Sequence, residues 1–254
     1  MKKETRGFFY YRLSDRIMVI ACLLFVIALS WSYLLSGAGM NTGNASMPKF
    51  MHQAQWDVGY ALAMFNMWWV MMVAMMLPSA LPVILLFSSL NQKIGANSPM
   101  AVTSFIVAYL IIWGGFSVIA TSCQWLLVQY DLMAAMKPLN STLLGAGLLI
   151  SAGIWQLSPW KNTCLNNCRA PIQFLSENWK AGTIGAVQMG LKHGLYCLGC
   201  CWVLMALLFY GGIMNLLWII GLAFYVLIEK VLPVNIKVAN YSGMILIAWG
   251  ILLL

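Results

Sequence analysis

His193, Cys197, Cys200 and Cys201 stand within nine positions of one apolar stretch, "KHGLYCLGCCW". At about 100° per residue in a helix, the first three fall within an arc of about 60°, with Cys201 slightly outside it. An imidazole and three thiols on one stripe can converge on a common point, and such donors bind soft metal ions. The plain alternative is packing, since cysteine behaves as a small hydrophobe and is common in apolar interiors. Any one of these cysteines, taken singly, reads as packing. The four residues together read as functional, because a histidine inside an apolar span is costly and has a task or a partner.

Two further groups carry sulfur. "CLNNCR" places Cys164 and Cys168 four positions apart, a spacing that also fits one turn of an ordinary helix. With the first group it offers up to five thiols on one side of a membrane, enough for a thiolate metal site. "MFNMWWVMMVAMMLP" (64–78) sets Met64, Met67, Met71 and Met75 within about an 80° arc of one helix, with Met72 and Met76 beside them. Methionine is a flexible gap-filler in helix packing, and its thioether is also a ligand selective for Cu(I). Six of the chain's 18 methionines lie in the 13 positions 64–76, which brings the two readings level. Met40, Met47, Met51 and His52, with Asp57 following, extend the soft donors into the first loop.

These residues must be positioned by membrane helices. Of 254 residues, 62% are hydrophobic and 8% charged, against about 25% charged in soluble domains. Several apolar runs approach 20 residues, the length that crosses hydrocarbon as a helix. The fold class expected is all-α, a polytopic transmembrane bundle of about seven spans, at 17–36, 57–77, 101–128, 140–157, 184–210, 213–230 and 240–254. Residues 1–16 form a basic cytoplasmic segment, and 17–254 a single membrane domain whose first span is a retained signal anchor. Pro78 closes the second span, leaving 79–92 as an extension or surface helix. Gly211-Gly212 divides the long stretch 196–229 into two spans.

With the N-terminus inside, 12 of the 14 basic residues fall in inner segments, Lys161 and Lys230 among them, and Lys49 and Lys137 fall outside. That asymmetry fixes orientation and an attraction to anionic lipid, and gives no sign of nucleic acid. Cys164 and Cys168 then lie in an inner loop, in a reducing compartment that argues against structural disulfides. Measured from the expected inner ends, Met67 lies roughly 15 Å and Cys197 roughly 20 Å up their helices. The methionine and His/Cys faces therefore meet at one depth if the two helices are neighbours. Glu229-Lys230 closes the sixth span as an interfacial ion pair, or lets Glu229 orient His193 from behind.

Ordinary enzyme signatures are absent: there is no G-x-S-x-G, H-E-x-x-H or phosphate-binding glycine loop. Three stretches, "MWWVMMVAMMLPSALP" (67–82), "WQLSPWKNTCLNNCRAP" (155–171) and residues 190–233, together resemble a bacterial family of uncharacterised integral membrane proteins described as predicted metal-binding. The resemblance runs from about residue 57 onward. It implies a multi-pass protein of the bacterial inner membrane, with His193, Cys197, Cys200, Cys201, Cys164 and Cys168 as candidate ligands. It names neither metal nor reaction.

The residues favour handling of Cu(I), by transport or by delivery to a membrane cuproenzyme, with Met64, Met67, Met71 and Met75 relaying the ion. Zinc would use the cysteines and histidine but gain little from methionine; zinc and haem stay open. A structural or assembly subunit of a larger membrane complex is the first alternative. A thiol oxidoreductase using Cys164/Cys168 and Cys200-Cys201 is the second, with Cys197-x-x-Cys200 meeting the bare redox spacing.

Overall fold

In a computed structural model, residues 2–36, 56–93, 99–133, 138–232 and 238–254 are described, with side chains of the first helix from Ile17 onward. They form nine α-helices: α1 (Lys2–Leu35), α2 (Val58–Lys93), α3 (Pro99–Gln129), α4 (Thr142–Leu157), α5 (Pro159–Arg169), α6 (Pro171–Asn178), α7 (Gly182–Gly211), α8 (Leu216–Val231) and α9 (Val238–Leu252). Every expected span is helical. Four helices are long and apolar enough to cross a membrane: Ile17–Leu35, Val58–Gln92, Pro99–Gln129 and Gly182–Gly211. The other three expected spans, α4, α8 and α9, have 15 or 16 residues. That is below the length of about 20 residues that a spanning helix needs, so the count of seven is not reached by single helices. α4 and α5 together pass as one span bent by 64° at Ser158.

Two boundaries differ from expectation, each for a local reason. Pro78 and Pro82 both sit inside α2, which continues unbroken to Lys93. Two prolines remove two main-chain donors, and the apolar surface around them, Leu77, Ala80, Val83 and Ile84, is buried against neighbouring helices. Packing therefore holds the helix through both prolines, and residues 79–92 are an extension of the second span, not a separate surface helix. The "SPWKNTCLNNCRAP" segment is not a loop. Ser158 accepts from the Trp160 amide, Pro159 opens α5, and Pro171 opens α6. Leu165 and Lys161 of α5 and Phe174 and Leu175 of α6 point inward.

The division of 196–229 falls where the glycines placed it. α7 ends at Gly211, Gly212 has φ 92°, and Asn215 caps α8 by accepting from the Trp218 amide. A positive φ of this size favours glycine.

Two close helix pairs hold the bundle together, α3 along α7 and α4 along α9. At Gly190 an added Cβ would lie 2.3 Å from the Phe105 carbonyl oxygen, and at Gly194 one would lie 2.9 Å from Ile112. This small-x-x-x-small pair lets the α3 and α7 backbones approach nearly to contact. α2 packs beside α3, with α1 outside it and α8 behind. The core is thus α2, α3, α7 and α8, with α5 closing it from the side that carries Cys164 and Cys168.

Candidate metal centre

The α7 stripe is buried as its spacing predicts: Cys197, Cys200 and Cys201 are all within the core. Inside a helix their thiols turn back on their own turn. The Cys200 and Cys201 sulfurs donate to the Cys197 carbonyl at 3.1 and 3.0 Å. From α8, the Lys230 Nζ donates to Cys197 Sγ at 2.9 Å and to Ser79 Oγ of α2 at 3.0 Å. From α3, the Tyr109 hydroxyl lies 3.1 Å from the same Cys197 sulfur and donates to the Met76 carbonyl at 3.1 Å. Ser79 donates to that carbonyl as well, at 2.8 Å. Cys201 Sγ meets the Met76 thioether at 3.9 Å.

α5 supplies the remaining thiols. Cys168 faces Cys200 closely enough for a side-chain interaction, and Cys200 interacts in turn with Cys201. Cys164 lies on Gly199, where an added Cβ would sit 2.9 Å from its sulfur. The contacts thus run from Met76 to Cys201, from Cys201 to the Cys197 carbonyl, and from Cys197 Sγ to Lys230 and Tyr109, with Cys164 packed on Gly199 of the same helix. Cys22 and Cys123 are exposed and stand apart.

His193 lies one turn before Cys197 and is buried, but its surroundings are aromatic. Its ring stacks on Phe105 and Tyr109, with centroids 6.2 and 5.7 Å away, and tilts against Phe174 at 5.3 Å. Its Nδ1 has no partner among the described residues. No three His, Cys, Asp or Glu side chains among the described residues form a ready-made metal-holding group.

The methionine stripe is buried throughout, with Met64, Met67, Met71, Met72, Met75 and Met76 all in the core. Its register against α7 differs from the depth argument. Trp68 packs on Phe209 with centroids 5.2 Å apart, and Met76 meets Cys201. Eight residues separate the contacts on each helix, so α2 and α7 run antiparallel. Met67 thus stands about 14 Å along the helix from the cysteines. The depth was measured from an inner end at residue 77, whereas α2 continues to Lys93. The stripe leads toward the cysteines and touches them at Met76. Farther along, the Gln124 amide donates to Met64 Sδ at 3.7 Å. Met40, Met47, Met51 and His52 lie outside the described residues.

Glu229 and Lys230 do not pair with each other at an interface. Glu229 pairs with Lys161 of α5 at 2.6 Å, both side chains fully buried. Lys161 also donates to Gln156, whose amide donates to the Tyr225 hydroxyl at 2.6 Å and to Ser242 at 3.1 Å. The half-buried Arg169 donates to the Glu229 carbonyl at 2.8 Å. No contact joins Glu229 to His193. Lys161 and Lys230 are therefore core residues, which removes both from the count of basic side chains at the inner surface.

Sequence reasoning missed Met76 as the sulfur at the contact, and it missed Tyr109, Ser79 and Lys230. One signal was available for Lys230: a lysine ending a 16-residue apolar helix that is otherwise free of cations.

The described residues form an all-α bundle with four helices apolar enough to cross a membrane. A family model described as PpoB2, copper chaperone, matches residues 65–253, and the chain belongs to that family. All three stretches that carried the resemblance lie inside the matched range. No curated protein and no solved structure matches.

Proposed function

We propose that the chain is a membrane-embedded copper chaperone that takes Cu(I) as cargo on Cys197, Cys201 and Met76 and passes it along Cys200, Cys168 and Cys164. The observation that carries this is the 3.9 Å approach of Cys201 Sγ to Met76 Sδ. It joins the end of a buried thioether row to a buried thiol cluster in a chain of the copper chaperone family. Two sulfurs bonded to one metal at about 2.3 Å each sit about 4 Å apart, so this contact already has the right span. Cu(I) accepts few, soft donors, whereas structural zinc takes four thiolate or imidazole ligands.

Met64, Met67, Met71 and Met75 relay the ion from the loop side, each step about one helical turn. His193, with its Nδ1 unpartnered one turn before Cys197, serves as a transient donor on departure. The partner that this reading implies is a cuproenzyme, with delivery across or within the membrane. The four long apolar helices support a membrane location.

Purified full-length protein, titrated with Cu(I) against a chromogenic chelator, tests the reading. Wild type is expected to hold one Cu(I), and Cys201→Ser and Met76→Leu to weaken it while zinc content stays unchanged. A preparation holding stoichiometric zinc or haem and no copper defeats it. Cys197 and Cys200 that cycle between thiol and disulfide with a quinone, without binding copper, would favour the oxidoreductase.

A further inference from the structure

A lysine in the last turn of a membrane helix normally extends its amino group outward to the interface, where water and the helix C-terminus both favour it. Lys230 does the opposite. It is 8% exposed, and its Nζ is spent on Cys197 Sγ and Ser79 Oγ, inside the sulfur cluster. An ionisable group placed so in a membrane protein asks for a functional account.

The charge count supplies one. The described core holds two lysines and one carboxylate. Lys161 and Glu229 pair at 2.6 Å, so among the described buried side chains no carboxylate is left for Lys230, which faces the Cys197 sulfur and the Ser79 hydroxyl. Cu(I) held by two thiolates carries a net charge of −1, which one ammonium offsets. Zn(II) on the same two thiolates is neutral, and beside it the ammonium stands uncompensated in a medium of low dielectric, where the cost is large.

We propose that Lys230 is the fixed counter-ion of the cargo site and sets its preference for a monovalent soft cation over a divalent one. This rests on the copper reading of the Cys197–Cys201–Met76 centre. Lys230 binds no metal itself. It acts through Cys197, anchored itself by Ser79 and holding the thiolate beside the Tyr109 hydroxyl, and it fixes the charge that the loaded site must carry.

The test uses full-length protein in detergent, with Cu(I) and Zn(II) each titrated against a competing chelator. Lys230→Gln keeps a donor and removes the charge; Lys230→Arg keeps the charge. In Lys230→Gln the ratio of Cu(I) to Zn(II) affinity is expected to fall by about tenfold or more, through weaker Cu(I) and unchanged or stronger Zn(II). Lys230→Arg should hold the wild-type ratio to within about threefold. Equal weakening of both metals in Lys230→Gln, which is what general loosening of the bundle gives, overturns the counter-ion role. If Lys230→Gln does not accumulate, Lys230→Met carries the same expectation. Should wild type retain no Cu(I), or Cys201→Ser retain as much as wild type, the copper reading itself falls. Cu(I) binding that is lost in Cys201→Ser, beside an unchanged ratio in Lys230→Gln, removes the counter-ion alone.

Discussion

Glu229 and Lys230 are neighbours in sequence, yet they belong to different places. Glu229 enters a polar network with Lys161, Gln156, Tyr225 and Ser242, drawn from α4, α5, α8 and α9. Lys230 enters the sulfur cluster with Cys197. In the first region one ammonium meets one carboxylate and the neighbouring donors and acceptors are largely used up. In the second a lone ammonium meets soft, polarisable sulfur. A self-neutralising pair ties the short helices together, with Glu229 Oε2 left without a partner among the described residues. On the counter-ion proposal, an ammonium against thiols leaves a charge that the cargo completes.

The largest expected effect falls on the first region. Lys161→Met leaves Glu229 as an uncompensated buried carboxylate and should cost about 3–5 kcal/mol, read as a lowered unfolding midpoint in detergent. Adding Glu229→Leu to that variant should recover most of the loss, because replacing a whole buried pair by apolar side chains is often neutral. Copper bound per folded molecule should be unchanged in the double variant. If it drops with the pair removed, the two regions are one site and the contrast between them fails.

In the second region the order of effects reverses between stability and binding. Cys201→Ser should leave the unfolding midpoint nearly in place but weaken Cu(I) by about a hundredfold, a change of about 2.7 kcal/mol. Met76→Leu conserves volume and should cost less than about 1.5 kcal/mol of stability. It removes the thioether that meets Cys201, and Cu(I) affinity should fall by about tenfold, or about 1.4 kcal/mol. Competition with a chromogenic chelator measures both.

The smallest effect is expected at His193. Its ring is held by Phe105, Tyr109 and Phe174, so His193→Phe keeps the packing. Cu(I) affinity should then change by less than about threefold, while transfer to a soluble chelator slows by a few-fold, an energy below about 1 kcal/mol. Stopped-flow transfer measures the rate. A loss of affinity as large as that of Cys201→Ser would make His193 a resident ligand and enlarge the second region toward α6.

Much of this was legible in the residues. The apolar runs, the helical class, the break at Gly211-Gly212 and the burial of the α7 cysteines follow from local composition and a period of 3.6, which sequence displays directly. So did the copper assignment at the level of family: sulfur of two kinds in one apolar chain points to a soft cation, and the copper chaperone family agrees with it. The end of α2 was not legible, since proline ordinarily closes a helix and only the packing of Leu77, Ala80, Val83 and Ile84 carries it onward.

Two things were settled by the chain's own order of residues: where the apolar helices lie, and which of their faces carry sulfur. Which sulfur meets which was settled only by tertiary packing. The spacing of Met67 on its helix fixes its direction and leaves its height against α7 open. Met76 reaches Cys201 because α2 and α7 run antiparallel in the register that Trp68 and Phe209 share. Likewise, no local rule sends Glu229 toward α5 and Lys230 toward α7. Consecutive side chains on a helix point about 100° apart, and the choice of neighbour for each direction belongs to the bundle as a whole.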